Sequence, residues 1–278
     1  MSKFAFPSLR RWWVYPIISL MIASFLVVGQ PIATQAISWG DLLLRGIQVI
    51  QLSNLSDRQE VEIGRQINEE LVSRQIKLYR NPEINQYVNQ IGQRLVAVSQ
   101  RSNIPYQFQV VDDRSVNAFA TMGGFIYLNK GLISSAENEA ELASVVAHEI
   151  GHVAGRHAVK QMKDMALARG LVGAAGLDRS TAVNIGVELA FRRPNSRKDE
   201  FEADNLGLNT LRSAGYAQTA MVSFMRKLVG GQSVPAFLST HPATSERINR
   251  LQQAINPATD SGGGLDSGAY RARTRSLS

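Results

Sequence analysis

The chain has 278 residues, 44% of them hydrophobic and 19% charged, which is enough for one sizeable core and argues against wholesale disorder. Its formal charge is +7, but Lys3, Arg10 and Arg11 supply part of that excess, and no basic cluster marks the rest of the chain as a nucleic-acid binder. Cysteine is absent, so disulfides, thiolate metal sites and a lipidated N-terminal cysteine are excluded. Any metal must be held by nitrogen and oxygen.

Residues 1–36 read as an export signal. Basic residues precede an apolar run from Trp12 to Val28, Gly29-Gln30-Pro31 ends it, and Ala33-Thr34-Gln35-Ala36 offers small residues for cleavage after Ala36. The alternative is an uncleaved membrane anchor, for which the run is short. Arg10-Arg11 is a weak twin-arginine signal. The apolar stretch from Leu42 to Leu52 is read as a packed helix in preference to a segment lying on a membrane.

Ser56-Asp57-Arg58-Gln59 is a capping box opening an amphipathic helix with Ile63, Ile67 and Leu71 on its face. Asn81 and Pro82 start the next, striped by Ile84, Val88, Ile91 and Leu95. Strands are expected at Tyr106 to Val111, Val116 to Thr121 and Phe125 to Leu128, with Gly123-Gly124 turning the chain between the last two. Ser134 to Glu137 resembles a second capping box, opening one long helix to about Met162. A Gly/Ala-rich join follows from Gly170 to Gly176. Further helices are expected at Ser180 to Phe191, at about Arg197 to Ser213, before Gly230, and around Ser245 to Ile255, with Pro194 interrupting the pattern. The Gly-, Ser- and Arg-rich residues 257–278 are expected to be a disordered tail. The fold class expected for residues 37–256 is α+β, mainly α, with a small antiparallel sheet packed on the active-site helix.

His148-Glu149-Ile150-Gly151-His152 carries the chemistry. Residues i and i+4 of a helix lie about 40° apart around its axis, so both imidazoles face one point, which suits two zinc ligands. Glu149 projects beside them, placed to reach a water rather than the metal. A third ligand must come from elsewhere. A metzincin would place a histidine ten residues after the first, where this chain has Ala158; His157 comes one residue early and is read as a surface or capping histidine. A carboxylate remains. Glu200 and Asp204 stand one turn apart, suited to ligate the metal and to orient a ligating imidazole, although Asp199 and Glu202 qualify on chemistry alone.

These motifs resemble the HtpX/BepA/LoiP/CAAX-prenyl-protease family of gluzincin metallopeptidases (metallopeptidase family forty-eight). The resemblance runs from about Ser56 to Ile255 and includes Ser196 to Asp204, Ser239-Thr240-His241-Pro242, and Asn117-Ala118-Phe119-Ala120 with Gly123-Gly124. It implies a gluzincin-like fold, Glu200 as third zinc ligand and Asp204 as its supporting partner. It further implies that His241 lies close to the zinc and can cover it, and that Arg247 helps stabilise the oxyanion. The chain lacks the multiple membrane helices and the tetratricopeptide domain of other branches and looks most like the single-domain exported branch, so neither prenylated peptides nor an outer-membrane assembly partner carries over.

The function expected is a zinc endopeptidase with one Zn2+ per chain, hydrolysing peptide bonds with a metal-activated water in quality control of exported or membrane-associated proteins. Glu149 is the expected base. Asn117, Ala118, Phe119 and Ala120 are expected to form an edge strand that pairs with extended substrate, or else a plain core strand. A chaperone-like protein of the same fold and a structural zinc protein are the competing readings. The expected partners are protein or peptide substrates and, as an open alternative, a membrane surface, with no nucleic acid. The expected location is outside the cytoplasm, periplasmic or membrane-associated.

Overall fold

The computed structural model describes residues 49–50, 52–171, 177–192, 195–230, 235–242, 245–256, 258 and 260–277. The expected export signal and most of the apolar stretch after it lie outside these residues, as does most of the join before residue 177. Val49–Ile50 (β1) is a short strand paired antiparallel with Leu177–Asp178 (β5), and Leu52–Asn54 is a 3-10 turn, so this end of the stretch is not the packed helix expected for it. Among the described residues no helix is long and apolar enough to cross a membrane.

Two helices open the body. In α1 (Asp57–Arg74) the capping box forms as expected, with Ser56 accepting from the Gln59 amide and the Gln59 side chain returning to Ser56. In α2 (Pro82–Val96) Asn81 accepts from the Ile84 amide. Each cap satisfies an otherwise orphaned donor and contributes about 1 kcal/mol.

The sheet comprises β2 (Gln107–Val111), β3 (Ala118–Ala120) and β4 (Phe125–Asn129), in the order β2-β4-β3. It is mixed rather than antiparallel throughout: β3 and β4 are antiparallel, whereas β2 and β4 run parallel. The reason lies in β4, whose five residues are all buried, so it takes the centre and the three-residue β3 the edge. Gly123 and Gly124 make the turn at φ +77° and +92°; a Cβ on Gly124 would lie 2.4 Å from the Pro105 carbonyl oxygen.

Strand alternation divides the interior in two. Val110, Ile126 and Leu128 face one cluster with α2, while Phe119, Phe125 and Tyr127 face another with Ile63, Ile67 and Leu71 of α1. After the short α3 (Lys130–Ser135) comes α4 (Glu139–Ala154), which supplies Leu142, Val146 and Ile150 to the first cluster. The expected single helix to Met162 is in fact two. Asn138, not Ser134, caps α4 through the Glu141 amide, and the chain breaks at Gly155 and Arg156 before α5 (His157–Ala168). Arg156 adopts φ +54°, the left-handed region, which no α-helix can pass through. Its side chain is fixed there by the Leu55 carbonyl and by the buried Glu60 carboxylate at 3.0 Å.

α6 (Arg179–Arg192) joins the second cluster; α7 (Arg197–Ser213) crosses α4; α8 (Thr219–Gly230) adds Phe224, Met225 and Leu228 to the first. Two shorter helices follow, α9 (Ala236–Thr240) and α10 (Ser245–Ala254).

The tail is ordered over residues 260–277, contrary to expectation. It ends in α11 (Ser267–Thr274), capped by Asp266, and Tyr270 is buried with its hydroxyl donating to the Ile133 carbonyl at 2.6 Å. Its composition signals disorder, yet its acceptors match donors left open elsewhere. Gly264 O accepts from the Ala140 amide in the first turn of α4, and the Asp260 carboxylate accepts from the Gln218 and Thr219 amides where α8 begins.

Candidate metal and active site

The site forms where α4 and α7 cross. Two glycines permit the approach: a Cβ on Gly151 would sit 2.6 Å from the Ala203 carbonyl oxygen, and one on Gly207 would sit 3.1 Å from the Ala147 carbonyl carbon. The crossing brings Glu200 to the two histidines.

His148 Nε2 and His152 Nε2 are 3.0 Å apart, and Glu200 Oε1 lies 3.2 Å from His152 Nε2. Glu200 Oε2 lies 3.5 Å from His148 Nε2. His241 Nδ1 joins them, 3.3 Å from His148 Nε2 and 3.2 Å from Glu200 Oε1. A tetrahedron with ligand bonds of ~2.0–2.1 Å has edges of roughly 3.3–3.4 Å, so this donor set fits a zinc ion. All four residues are buried.

Buried groups beside the donors orient them. Asp204 Oδ1 lies 3.0 Å from His148 Nδ1, so the far nitrogen of that ring faces a carboxylate. Arg247, fully buried, grips Asp204 with two hydrogen bonds of 2.8 and 2.7 Å from Nε and Nη2. Its Nη1 lies 2.6 Å from Glu200 Oε2 and donates to the Pro242 carbonyl. The guanidinium is therefore engaged by the two carboxylates Asp204 and Glu200.

Glu149 has no exposed surface, and neither carboxylate oxygen has a hydrogen-bond partner among the described residues. His241 Nε2 is 3.4 Å from Oε1. Burial pushes its pKa above the ordinary carboxylate value, with His241 and His148 acting against it. Burial acts on Glu200 in the same direction, but the three surrounding imidazoles prevail and hold its pKa far below the ordinary value. The imidazoles of His148 and His152 diverge. Burial opposes charge on both, yet Asp204 and Glu200 bring His148 up to about 9, whereas His152 is pushed down to about 3.

A groove opens beside Glu149, His152 and His241, with Phe119, Ala120, Thr121, Met122, Leu189, Ala190 and Asn195 in its lining. Of the expected substrate strand, Phe119 and Ala120 thus reach the groove. Ala118, the first residue of β3, is buried, and Asn117 precedes the strand with its side-chain oxygen unpartnered among the described residues. Phe119 stacks on Tyr127 at 4.6 Å between centroids. The α9 segment closes over the site: Phe237 stacks on His241, and its amide donates to the Val116 carbonyl, next to the edge strand.

Asp199 and Glu202 lie elsewhere. Asp199 pairs with Lys160, and the half-exposed Glu202 faces His157. His157 is not a surface residue: it is buried, and its Nδ1 is 2.8 Å from His152 Nδ1. Sequence reasoning also missed Asn195, whose Nδ2 is 3.2 Å from His241 Nδ1 and also donates to the Thr240 carbonyl. Neither belongs to a spacing pattern; only the fold brings them in.

Two imidazoles one helical turn apart, crossed by a carboxylate-bearing helix, lie with a buried acid at their side, an arrangement that fits a metallopeptidase site. Residues 82–255, more than half of the chain, match the sequence profile of peptidase family M48, and the chain belongs to that family. A beta-barrel assembly-enhancing protease of Yersinia pestis is 31% identical over 268 residues, covering 86% of this chain and 53% of that protein. Metalloprotease LoiP of Escherichia coli (strain K12) is 29% identical over 254 residues, covering 83% of this chain and 96% of LoiP. Mitochondrial metalloendopeptidase OMA1 of Arabidopsis thaliana is 35% identical over 161 residues, covering 57% of this chain and 33% of that protein. The chain spans about half the length of the beta-barrel assembly-enhancing proteases it matches.

Proposed function

We propose that the protein is a zinc-dependent endopeptidase acting on exported or membrane-associated proteins, with His148, His152 and Glu200 holding the metal and Glu149 as the base. The observation that carries this is the convergence of three donor atoms on one point beside a buried, unpartnered carboxylate. A chaperone-like holder of clients has no use for that carboxylate.

A zinc ion bound there polarises the scissile carbonyl and lowers the pKa of water. The chain's own residues do the rest. Glu149, whose pKa burial raises, accepts a proton from the attacking water and returns it to the leaving amine nitrogen. Asp204 holds the ring of His148, and Arg247 holds Asp204 and Glu200 in place. The outer edge of β3 offers main-chain groups to an extended peptide, which gives affinity with little sequence selectivity. The test is cleavage of an unfolded protein such as casein by wild type and by Glu149→Gln, with metal content measured on both. Loss of cleavage with zinc retained supports the reading; equal cleavage by both overturns it.

A second reading concerns the resting state. His241 gives the site a fourth protein donor, and the α9 segment that carries it is bonded next to the edge strand. Four protein ligands close a zinc site, so this conformation is latent and the enzyme works when His241 withdraws.

A further inference from the structure

His157 lies outside the His148–His152 and Glu200–Asp204 pairs, yet it is buried and its Nδ1 lies 2.8 Å from Nδ1 of His152. Its other nitrogen, Nε2, faces Glu202 Oε2 at 3.5 Å, with Asp199 Oδ1 farther off at 3.9 Å. The backbone is built to put it there. Gly155 leaves room for the ring, since a Cβ at that position would lie 2.5 Å from His157 Nε2. Arg156 holds the left-handed conformation at the break between α4 and α5.

We propose that His157 is a positioning residue that fixes the tautomer and ring orientation of His152 for metal binding; this rests on the zinc reading above. A neutral imidazole carries one proton on two nitrogens. For His152 Nε2 to present a lone pair beside Glu200, the proton must sit on Nδ1. His157 Nδ1 then accepts it as a hydrogen bond, which puts the proton of His157 on Nε2, facing Glu202. The two imidazoles would then form one directed pair toward the metal, with Glu202 facing its outer end at 3.5 Å without a hydrogen bond.

The same logic decides against a second cation held by His157, Asp199 and Glu202, although their ligand atoms lie close enough together. A lone pair on His157 Nε2 would require a proton on its Nδ1, donated to His152 Nδ1. That would leave the His152 proton on Nε2, inside the first donor set. Lys160 already neutralises Asp199 as well.

The experiment compares zinc affinity, by chelator competition, of wild type, His157→Phe, His157→Asn and Glu202→Ala, with the cobalt-substituted absorption spectrum of each. His157→Phe removes the acceptor and is expected to weaken zinc binding about 10–100-fold. His157→Asn places an amide oxygen where Nδ1 was and restores most of that loss. Glu202→Ala, at a half-exposed position that leaves folding intact, gives a smaller loss in the same direction. Unchanged affinity in both His157→Phe and Glu202→Ala overturns the proposal, as does an equal loss in the Phe and Asn variants. If His157→Phe does not fold, an Asn variant at near wild-type affinity with a weakened Glu202→Ala supports it, and wild-type affinity in Glu202→Ala overturns it. Two zinc ions per chain in the wild type would show that the tautomers run the other way. A wild type that takes up no zinc overturns the site reading itself, a distinct result from zinc bound equally by every variant.

Discussion

Gly151 lies so close to Ala203 that a single added methyl group would meet the Ala203 carbonyl oxygen at 2.6 Å. Because the contact is backbone on one side, no rotamer change relieves it. Gly151→Ala must push α4 and α7 apart, and Glu200 moves with α7. We expect a stability loss of about 1–3 kcal/mol, typical of overpacking, together with loss of zinc. Gly207→Ala, where the nearest approach is 3.1 Å, should show both effects more weakly. Thermal unfolding and metal content check the ranking; equal behaviour of the two variants contradicts it.

Glu149 is costly to the fold. Its raised pKa means that the folded chain binds a proton more readily than the unfolded chain, so stability falls as pH rises from the ordinary carboxylate value toward the raised one. In the metal-free protein the cost of Glu149 is therefore larger at neutral pH than in acid. Glu149→Gln should therefore abolish cleavage while raising metal-free stability at neutral pH, because the amide cannot ionise. Denaturant unfolding at pH 7 and pH 5 should show the gain shrinking at the lower pH.

Arg247 separates two roles. As an anchor for Asp204 and Glu200, its replacement by Met leaves buried carboxylates unpaired, costs about 3–5 kcal/mol and releases zinc. As an oxyanion donor, its loss would lower kcat with zinc retained. The geometry favours the first outcome. Arg247→Lys keeps the charge but not the two-pronged grip on Asp204, so it should bind zinc more weakly than wild type.

His241→Ala should raise the cleavage rate if the fourth donor holds the enzyme latent, because it opens a coordination position without touching His148, His152 or Glu200. Chain cleavage by the wild type at the same zinc content is the reference. A loss of activity assigns His241 to the chemistry instead.

Removal of residues 257–278 should destabilise the body rather than trim it. Tyr270 is buried, and Gly264 and Asp260 satisfy amides at the starts of α4 and α8. Tyr270→Ala alone should cost about 3–5 kcal/mol, the range for a large buried aromatic, and should lower the melting temperature without altering the zinc ligands.

Several elements could be read directly from local order. The caps at Ser56 and Asn81, the strands near Tyr106 and Phe125, and the helix from Arg197 to Ser213 follow from short-range patterns of side-chain chemistry, as does the pairing of His148 with His152 one turn apart. Such features depend on residues within four positions of one another, and helix geometry then fixes their common face. Glu200 stood out only as one of several acids, and Asp199 and Glu202 matched it in type. Its selection required α7 to cross α4 at Gly151 and Gly207, a contact between residues some fifty positions apart. The burial of His157 depended on the left-handed turn at Arg156, which no residue preference announces, and the parallel pairing of β2 with β4 depended on which strand took the centre. The tail misled for the same reason: composition reports how little apolar surface a segment can bury alone, but not that its acceptors meet helix ends left open by other parts of the chain. The sequence by itself determined the chemistry of the donors; only the tertiary structure decided which of them meet, because distance in space is set by packing between elements and not by order along the chain.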